Sequence, residues 1–386
     1  MRMRKVRLER DWAGLPPELV TIIGEKVTTH KGYVHLRLVC KAWRRALPPN
    51  PRHLPPQGPW LLLPQIFVNY YEERDVDYSE LSFYDPFRFK THRFQRPYIS
   101  DKDICGSSFG WLVLEHDHRV SLFNPLTQCV IDLPHFDAPP TILISDPIDQ
   151  EEHDTDMLCV LKAVLSCNPS EDGCFVVASF QSSSPSNWEL GFCRIGDTHW
   201  TGLKTWDVRR ELLDFTCHKN LVYTADTKRE VSVYDLEDLS VWTFPSKFNY
   251  NKKFHKINLV EGDLESGDPL LIRTRLYSDF ELNTIFMYKW FEDRQAWCQV
   301  RNIGKGTLFL NWRHCINLQL EEGHENQLYY DARDYHDFSP DYFRVRIRRV
   351  KLECRADSLL HPNPMEEFPS QSEFPIWFTP SLIYLS

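Results

Sequence analysis

The sequence predicts a mainly β protein that begins with a small all-α module. Two patterns support this prediction: apolar residues at helical spacing between residues 15 and 47, and short strand–turn–strand segments that recur from Trp60 onward. Composition agrees, because 12 Trp, 16 Tyr and 24 Phe favour strands, and 26 Pro outnumber 15 Gly. We therefore expect many turns and few long helices.

Charge is distributed unevenly along the chain. Residues 1–54 contain 12 Lys or Arg and 4 Asp or Glu, a net charge of +8, whereas the remainder contains 33 and 50, a net charge of −17. This asymmetry indicates that the first segment meets an acidic partner, for which nucleic acid and an acidic protein surface fit equally well. Residues 1–11 form a basic leader without the apolar core of a signal peptide.

Two helical patterns follow the leader. The first places four apolar residues on one helix face: Leu19, Ile22, Ile23 and Val27. The second also has helical spacing and comprises Leu36, Val39, Cys40, Trp43 and Leu47. A block of about 35 residues is too small to be stable by itself. Its apolar face must therefore pack on the following domain, on a second copy or on a partner.

A proline-rich segment separates this block from the rest of the chain. Residues 48–59 contain six prolines, a composition typical of a stiff, extended spacer. From it we predict a helical module at 12–48, a linker at 49–59 and a β domain at 60–382.

The β domain contains several segments that share one shape: a strand, a polar turn and a second strand. They lie at 111–125, 173–203, 220–244 and 284–300. Their irregular spacing of roughly 40–60 residues is typical of degenerate propeller blades. An irregular β-sandwich is the alternative fold, since it has similar strand spacing.

The helical block resembles an F-box. Its "LPPELVTII" at 15–23 and "LRLVCKAWRRAL" at 36–47 match the pattern of that family, which breaks the second segment into two helices near Cys40. Gly24 departs from the pattern, because glycine inside a helix costs about 1 kcal/mol relative to alanine.

The β domain resembles that of a plant F-box family. The similarity is to a domain first described as domain of unknown function 295 and now called a KIB-type β-propeller. The segments that carry it are "GSSFGWLVL" at 106–114, "VYTADTKREVSVYDL" at 222–236 and "PIWFTPSL" at 375–382. The resemblance therefore implies a helical F-box followed by a degenerate β-propeller.

The resemblance implies a substrate-recognition subunit of a cullin-RING (SCF-type) ubiquitin ligase. The F-box would dock on a Skp-type adaptor, which is acidic in that family, and through it on a cullin, while the propeller binds an unidentified protein substrate. We expect no catalytic group, metal, cofactor, nucleic acid or membrane partner, and a cytoplasmic or nuclear location. The residues expected to contact the adaptor are Leu15, Pro16, Leu19, Ile22, Ile23, Val27, Leu36, Val39, Cys40 and Trp43.

Two other functions remain open from the residues. One is a non-ligase interaction protein whose helical block packs internally. The other is an enzyme or small-ligand receptor that uses the propeller channel. Neither has a motif in its favour: "GSSFG" at 106–110 precedes a strand and not the helix of a nucleophile elbow, and His116 and His118 lack a third metal ligand.

One basic strand is a candidate for substrate binding. In "FRVRIRRVKLECR" at 343–355, Arg344, Arg346 and Arg348 alternate with apolar residues, so the three guanidinium groups share one strand face. Such a face can bind a phosphate or an acidic motif, or it can protect an edge strand from pairing with another chain.

The eleven cysteines include no C-x-x-C pair, and this pattern indicates reduced thiols.

Overall fold

The structure is a computed structural model, and it describes most but not all of the 386 residues. The described residues are 12–28, 30–48, 51, 53–54, 58–63, 80–95, 102–136, 159–181, 188–203, 211–248, 255–261, 268–276, 282–311, 314–320, 323–335, 343–352, 366–370 and 376–380. The chain divides into two compact units, one drawn mainly from residues 1–56 and the other from residues 57–381.

The first unit is helical. It contains a 3₁₀ turn at Trp12–Gly14 and helices α1 (Pro17–Glu25), α2 (His30–Leu38) and α3 (Lys41–Ala46). Pro17 lies at the first position of α1, where its missing N–H has no intrahelical partner to lose. The second helical pattern is thus two helices, as the resemblance to an F-box implied.

Cys40 causes the break between α2 and α3. Its backbone is extended, with φ −162° and ψ 170°, and its Sγ accepts a hydrogen bond from the Trp43 amide at 3.4 Å. The residue therefore serves as the N-cap of α3, because an N-cap side chain satisfies an amide that the helix itself leaves without an acceptor.

The small core of this unit joins all three helices. Its buried members are Val20, Tyr33, Trp43, Leu47 and Leu54. The Thr21 hydroxyl donates to the Ala46 carbonyl at 3.3 Å, and the Tyr33 hydroxyl donates to the Pro48 carbonyl at 2.9 Å. Leu54 comes from the segment that we predicted to be a linker, so part of that segment packs with the helices.

The second unit consists of sheets that we call blades A to F. Blade A contains β1 (Trp60–Leu62), β2 (Glu80–Asp85), β3 (Lys90–Gln95) and the last strand of the chain, β25 (Ile376–Phe378). Blade B contains β4 (Asp103–Ser108), β5 (Trp111–His116), β6 (Arg119–Asn124) and β7 (Cys129–His135). Blade C contains β8 (Cys159–Leu165), β9 (Phe175–Gln181), β10 (Trp188–Arg194) and β11 (Thr201–Leu203).

Blades D and E repeat the same four-stranded antiparallel plan. Blade D contains β12 (Leu212–His218), β13 (Leu221–Asp226), β14 (Val231–Asp235) and β15 (Val241–Thr243). Blade E contains β16 (His255–Glu261), β17 (Pro269–Leu276), β18 (Leu282–Phe291) and β19 (Ala296–Val300).

Blade F differs from the others in its connections. It contains β20 (Gly306–Leu310), β21 (Cys315–Gln319), β22 (Gln327–Tyr335), β23 (Phe343–Lys351) and β24 (Glu366–Ser370). Its order is β21–β20–β22–β23–β24, and β20 pairs with β22 in parallel while the other pairs are antiparallel. The innermost strand, β21, is therefore the second in the chain order of its blade.

A strand in the middle of a blade supplies two cores, because neighbouring blades cover both of its faces. In β5, Trp111 and Val113 pack between blades B and C, whereas Leu112 and Leu114 pack between blades A and B. Side chains alternate between the faces of a strand. A strand buried on both faces therefore reads as a continuous apolar run, as "WLVL" does.

A buried cluster lies at every junction between neighbouring blades, including the junction of blade F with blade A. At that last junction, Trp377 of β25 is fully buried and its Nε1 donates to the Leu310 carbonyl at 3.1 Å. The described sheets thus form a closed ring of six blades. The predicted β-propeller is confirmed, and the β-sandwich alternative is wrong.

We expect Trp377→Ala to lower the free energy of unfolding by about 3–5 kcal/mol, because a large buried side chain at the closing junction is lost. Trp242→Ala is the matched control, since Trp242 is 44% exposed and its loss should cost less than about 0.5 kcal/mol. Urea unfolding of both full-length variants measures the difference. An equal loss of unfolding free energy in the two variants would contradict the stabilising role of Trp377 at this junction.

Candidate functional site

Exposed apolar side chains are concentrated in the helical unit. Among the described residues, five of its large apolar side chains are between 47% and 56% exposed: Trp12, Leu19, Ile22, Leu38 and Val39. The propeller, which is several times longer, exposes only four such side chains in its described part. Large apolar side chains gathered on a small unit indicate a surface that binds a partner.

The structure divides the apolar face that we predicted for α1. Leu19 and Ile22 are exposed, whereas Ile23 and Val27 pack against the core of the unit. Val20, which the periodicity did not select, is only 1% exposed. The helix is therefore rotated relative to the prediction, with one stripe for the core and another, Leu19 and Ile22, left outside.

The end of α2 exposes a second pair of apolar residues. Leu38 and Val39 are each more than half exposed, while Leu36 is partly buried against the core. Leu38 was missed by sequence reasoning, because it lies outside the spacing that links Leu36 to Val39. The signal that could have revealed it is the unbroken apolar run "LVC" at the helix end.

Trp43 does not lie on the exposed surface. It is 5% exposed, belongs to the core of the unit, and donates from Nε1 to the Trp12 carbonyl at 2.9 Å. Cys40 and Leu15 are partly buried against the same core, and Pro16 is exposed. The predicted adaptor-binding residues therefore fall into an exposed set and a set that holds the unit together.

Gly24 is explained by close packing. A Cβ at this position would clash with Cδ2 of Leu47 and would lie 3.4 Å from the ring of Tyr33. Gly24 itself is buried. The glycine therefore allows α1 to approach the end of α3, and this close approach outweighs the low helix propensity of glycine.

Exposed basic side chains accompany the apolar ones. Lys41, Arg44 and Arg45 lie on the exposed side of α3, and Lys26 lies at the end of α1. Glu18 and Glu25 are the exposed acids of the helices in this unit. The exposed charges of the helices are thus mostly positive, which favours an acidic partner.

The arginine strand is not an open surface at the position that the structure describes. β23 lies between β22 and β24, so it is not an edge strand. Arg348 is 5% exposed and pairs across the strands with Tyr330. The side chains of Arg344 and Arg346 lie outside the described residues. Nothing described therefore places three guanidinium groups together on a free face.

The centre of the propeller contains a buried ion pair that joins three blades. Lys162 Nζ of β8 donates to Asp214 Oδ1 of β12 at 2.6 Å and to the Phe215 carbonyl at 2.8 Å. Asp214 Oδ2 accepts the Leu259 amide of β16 at 2.8 Å. Both charged groups thus have several partners, which is typical of a structural tie between strands.

The "GSSFG" motif at 106–110 has a structural explanation. Residues 106–110 are followed by the strand β5, and Ser108 Oγ accepts the Leu165 amide at 3.3 Å, which differs from a nucleophile elbow. A Cβ on Gly106 would clash with the Ala163 carbonyl, so this glycine allows β4 to approach β8. Within the described ranges, no cluster of three or more His, Cys, Asp or Glu side chains is arranged to hold a metal ion.

The described cysteines are free thiols, and several are buried deeply. Burial raises the pKa of Cys174 and of Cys193 to about 12, and it raises the pKa of Cys315 as well. A thiol with a raised pKa is a poor nucleophile, because only the thiolate reacts.

Among the described helices, none has the length and apolar character that spanning a membrane requires.

The propeller part of the chain matches a known protein family. The sequence model of the KIB1-4 β-propeller matches residues 83–346. Two F-box proteins of Arabidopsis thaliana are similar: one is 25% identical over 56% of this chain and 47% of its own length. The other, named as putative, is 22% identical over 78% of each chain. The chain thus spans about half the length of the first relative.

Solved propeller structures show only a distant likeness. The β-propeller domain of Cps50 (Swd1) from Myceliophteria thermophila is 10% identical, with 83% of this chain and 96% of that chain covered and a TM-score of 0.39. A calcium-binding regucalcin from Agrobacterium tumefaciens is 11% identical, with 79% and 87% covered and a TM-score of 0.35. These values are too low to support an argument about function.

We expect Gly24→Ala to destabilise the helical unit by about 1–3 kcal/mol, because the added methyl group overpacks the contact with Leu47. Glu25→Ala, at an exposed position of the same helix, is the control and should change stability by less than about 0.5 kcal/mol. Helical circular dichroism during urea unfolding measures both. A Gly24→Ala variant that is more stable than wild type would contradict the packing explanation.

We expect the stability of the propeller to fall as the pH rises above about 9. The folded thiols of Cys174 and Cys193 keep their protons up to a pKa of about 12, whereas unfolded cysteines ionise near pH 8.5. The unfolded state therefore binds fewer protons in this window, and folding loses stability as pH rises. Replacing both residues with alanine should flatten the urea-midpoint profile between pH 9 and 10.5, and an unchanged slope would contradict this explanation.

Proposed function

This chain belongs to the KIB1-4 β-propeller family, and from that premise we propose that it is the substrate-recognition subunit of a cullin-RING (SCF-type) ubiquitin ligase. Its relatives among F-box proteins support the role of an adaptor for substrates. In this proposal the helical unit docks on a Skp-type adaptor, through which it joins the cullin. The propeller holds a protein substrate.

The observation that carries the proposal is the division of apolar side chains in the helical unit. A unit of this size needs every apolar residue that it can bury, because small domains are only marginally stable. Leaving Leu19, Ile22 and Val39 about half exposed costs the isolated unit stability. The exposed set is best explained by a partner that covers it, since buried apolar anchors supply most of the binding energy of an interface.

The charge of the unit supports an acidic partner. Residues 1–54 carry a net charge of +8, and Lys41, Arg44 and Arg45 are exposed beside the α2–α3 break. The Skp-type adaptor is acidic in the family that the sequence resembles. Opposite charges of this kind accelerate association and disfavour wrong partners.

The roles of the predicted residues differ within the proposal. Leu19, Ile22 and Val39, together with Leu38 and the exposed Pro16, make direct contact with the adaptor. The remaining predicted residues act indirectly by holding the helices in place: Leu15, Ile23, Val27, Leu36, Cys40 and Trp43. A core residue can still be essential for docking, because loss of the core moves the exposed anchors.

The chain would act by proximity and not by catalysis. A substrate bound to the propeller and an adaptor bound to the helical unit belong to one assembly, which raises the effective concentration of the substrate lysine near the ubiquitin-charged enzyme. We place this activity in the cytoplasm or nucleus, where the free thiols of the described cysteines are kept reduced.

We expect Leu19→Ala combined with Ile22→Ala to weaken binding of the full-length chain to a Skp-type adaptor at least tenfold, since two exposed anchors are lost. The circular dichroism of the helices should stay unchanged. Glu18→Ala is the matched control on the same helix and should not weaken binding to an acidic adaptor. Co-purification followed by titration calorimetry measures the affinities.

Trp43→Ala provides the contrast. It should also abolish adaptor binding, but together with a loss of helical signal, because it removes the centre of the core. If Leu19→Ala with Ile22→Ala bound the adaptor as tightly as wild type, the proposed docking surface would be ruled out.

A further inference from the structure

The turns of the propeller can be assigned to its two faces. Along β4 and β8, Gly106 lies against the Ala163 carbonyl and Ser108 Oγ accepts the Leu165 amide. Along β8 and β12, Lys162 contacts Asp214 and Cys217 Sγ donates to the Leu165 carbonyl. Residue numbers therefore rise together along these inner strands, which run in one direction. Strands alternate in direction within each of these blades, since their pairs are all antiparallel.

The blades of a propeller repeat one plan around the axis, so we extend this direction to blades A and E. One face then carries two turns from each four-stranded blade: the turn after its innermost strand and the turn after its third strand, counted from the propeller axis. We call this the odd-turn face. Its described turns include those at 86–89 in blade A, 109–110 in blade B and 236–240 in blade D. The turns at 117–118 and 227–230 lie on the opposite face.

Three turns of the odd-turn face hold large apolar residues in a left-handed conformation. Phe89 has φ 51°, Phe109 has φ 51° and Leu239 has φ 60°. Bulky side chains rarely adopt this region, which glycine, asparagine and aspartate favour in turns. The other described non-glycine residues with positive φ are all polar: Asp117, His118, Gln128, Lys219, Arg229, Gln295 and Asn326.

The same residues are among the most exposed apolar side chains of the molecule. Phe89 and Leu239 are 64% and 60% exposed, and Phe109 and Trp242 are each 44% exposed. Trp242 is the second residue of β15, the outer strand of blade D, which directly follows the turn that holds Leu239. These four are all the large exposed apolar residues in the described part of the propeller, and all belong to odd turns or their edge.

Phe89, Phe109 and Leu239 are not the residues that would make their turns most stable. An asparagine or glycine at each turn would remove both the strained backbone and the exposed apolar surface. Strain that the surrounding structure maintains is typical of functional sites. The exposed apolar residues of this face are therefore best explained by contact with a partner.

The charge of the odd-turn face indicates the chemistry of that partner. Its described turns in blades A to E expose the acidic residues Glu171, Asp172, Asp197, Glu237, Asp238, Glu292 and Asp293. The exposed basic residues of the same turns are Arg88, Lys219 and Arg294. Acids outnumber bases, and Glu237 and Asp238 lie beside Leu239, so a positively charged partner is favoured.

We infer that the odd-turn face is the docking surface for a protein segment that combines apolar anchor residues with Lys and Arg. Phe109 would contact the segment near the propeller axis, and Phe89, Leu239 and Trp242 would contact it toward the rim. This inference rests on the proposed function, because it assigns the docked segment to the substrate of the ligase.

The test uses the full-length chain and two pools of random 15-residue peptides. One pool is built from Lys, Arg, Leu, Phe, Gly and Ser, and the other replaces Lys and Arg with Asp and Glu. Wild type should retain the basic pool at least tenfold more strongly than the acidic pool. Raising the salt from 50 to 500 mM should weaken this retention, because the charges are exposed.

The decisive variant is Phe109→Asn combined with Leu239→Asn. Asparagine tolerates the left-handed turn, so the midpoint of urea unfolding should not fall, while retention of the basic pool falls at least tenfold. Arg229→Asn is the matched control, since Arg229 has φ 72° in an exposed turn of the opposite face and should leave retention unchanged. Equal retention of the two pools, or a double variant that retains the basic pool as well as wild type, would overturn the inference.

Adaptor binding is measured on the same samples and separates this inference from the proposed function. If the double variant loses the peptides but wild type binds no Skp-type adaptor, the docking face stands and the ligase role falls. If wild type binds the adaptor but shows no preference between the pools, the ligase role stands and the docking face falls.

Discussion

The pairing of the last strand with the first is the constraint on which the propeller depends. β25 pairs with β1 over Trp60–Leu62 and Ile376–Phe378, so a segment from the end of the chain completes blade A. Every blade buries both faces against its neighbours, and only a closed ring gives the first and last blades the same cover. Trp377 lies at that junction, against the ring of Phe309 at 5.2 Å and the carbonyl of Leu310. The ring also brings β8, β12 and β16 side by side, and this arrangement allows Lys162, Asp214 and Leu259 to join three blades.

The helical unit is under a different constraint, because it is too small to bury all of its apolar residues. Its core uses one residue or a few from each helix and takes Leu54 from the proline-rich segment. Gly24 allows α1 and the end of α3 to meet closely around that core. The apolar residues left outside, Leu19, Ile22, Leu38 and Val39, are the ones that a partner can cover. The same limit on size thus explains both the tight interior of the unit and its exposed apolar residues.

The sequence predicted features that depend on residues close together in the chain. It did not predict whether a side chain is buried or exposed, because that depends on neighbours from distant parts of the chain. The helical spacing and the strand–turn repeats are local, and each appears in the structure. The break near Cys40 came only from the resemblance to an F-box, and it too appears in the structure. Trp43 matched the F-box pattern, but a tryptophan can fill a core or contact a partner, and only its 5% exposure distinguishes the two. Arg348 looked like part of a basic strand face. It is 5% exposed, and β24, a strand with no clear sequence signal, pairs with β23 so that β23 is not an edge strand. The exposed Phe109 and Leu239 could not be predicted either, since their turns resemble ordinary hairpin turns in sequence.

The sequence by itself determined the class of each unit and the opposite charges of the two. These properties follow from composition and from periodicities of 3.6 and 2 residues, which need no knowledge of distant neighbours. Only the tertiary structure decided which apolar residues are buried and which are exposed, why Gly24 is a glycine, and which turns share a face of the propeller. Those outcomes depend on contacts between residues far apart in the chain, such as Gly24 with Leu47 and β25 with β1. No local pattern encodes such contacts, because the same residue satisfies the pattern whichever neighbour it meets.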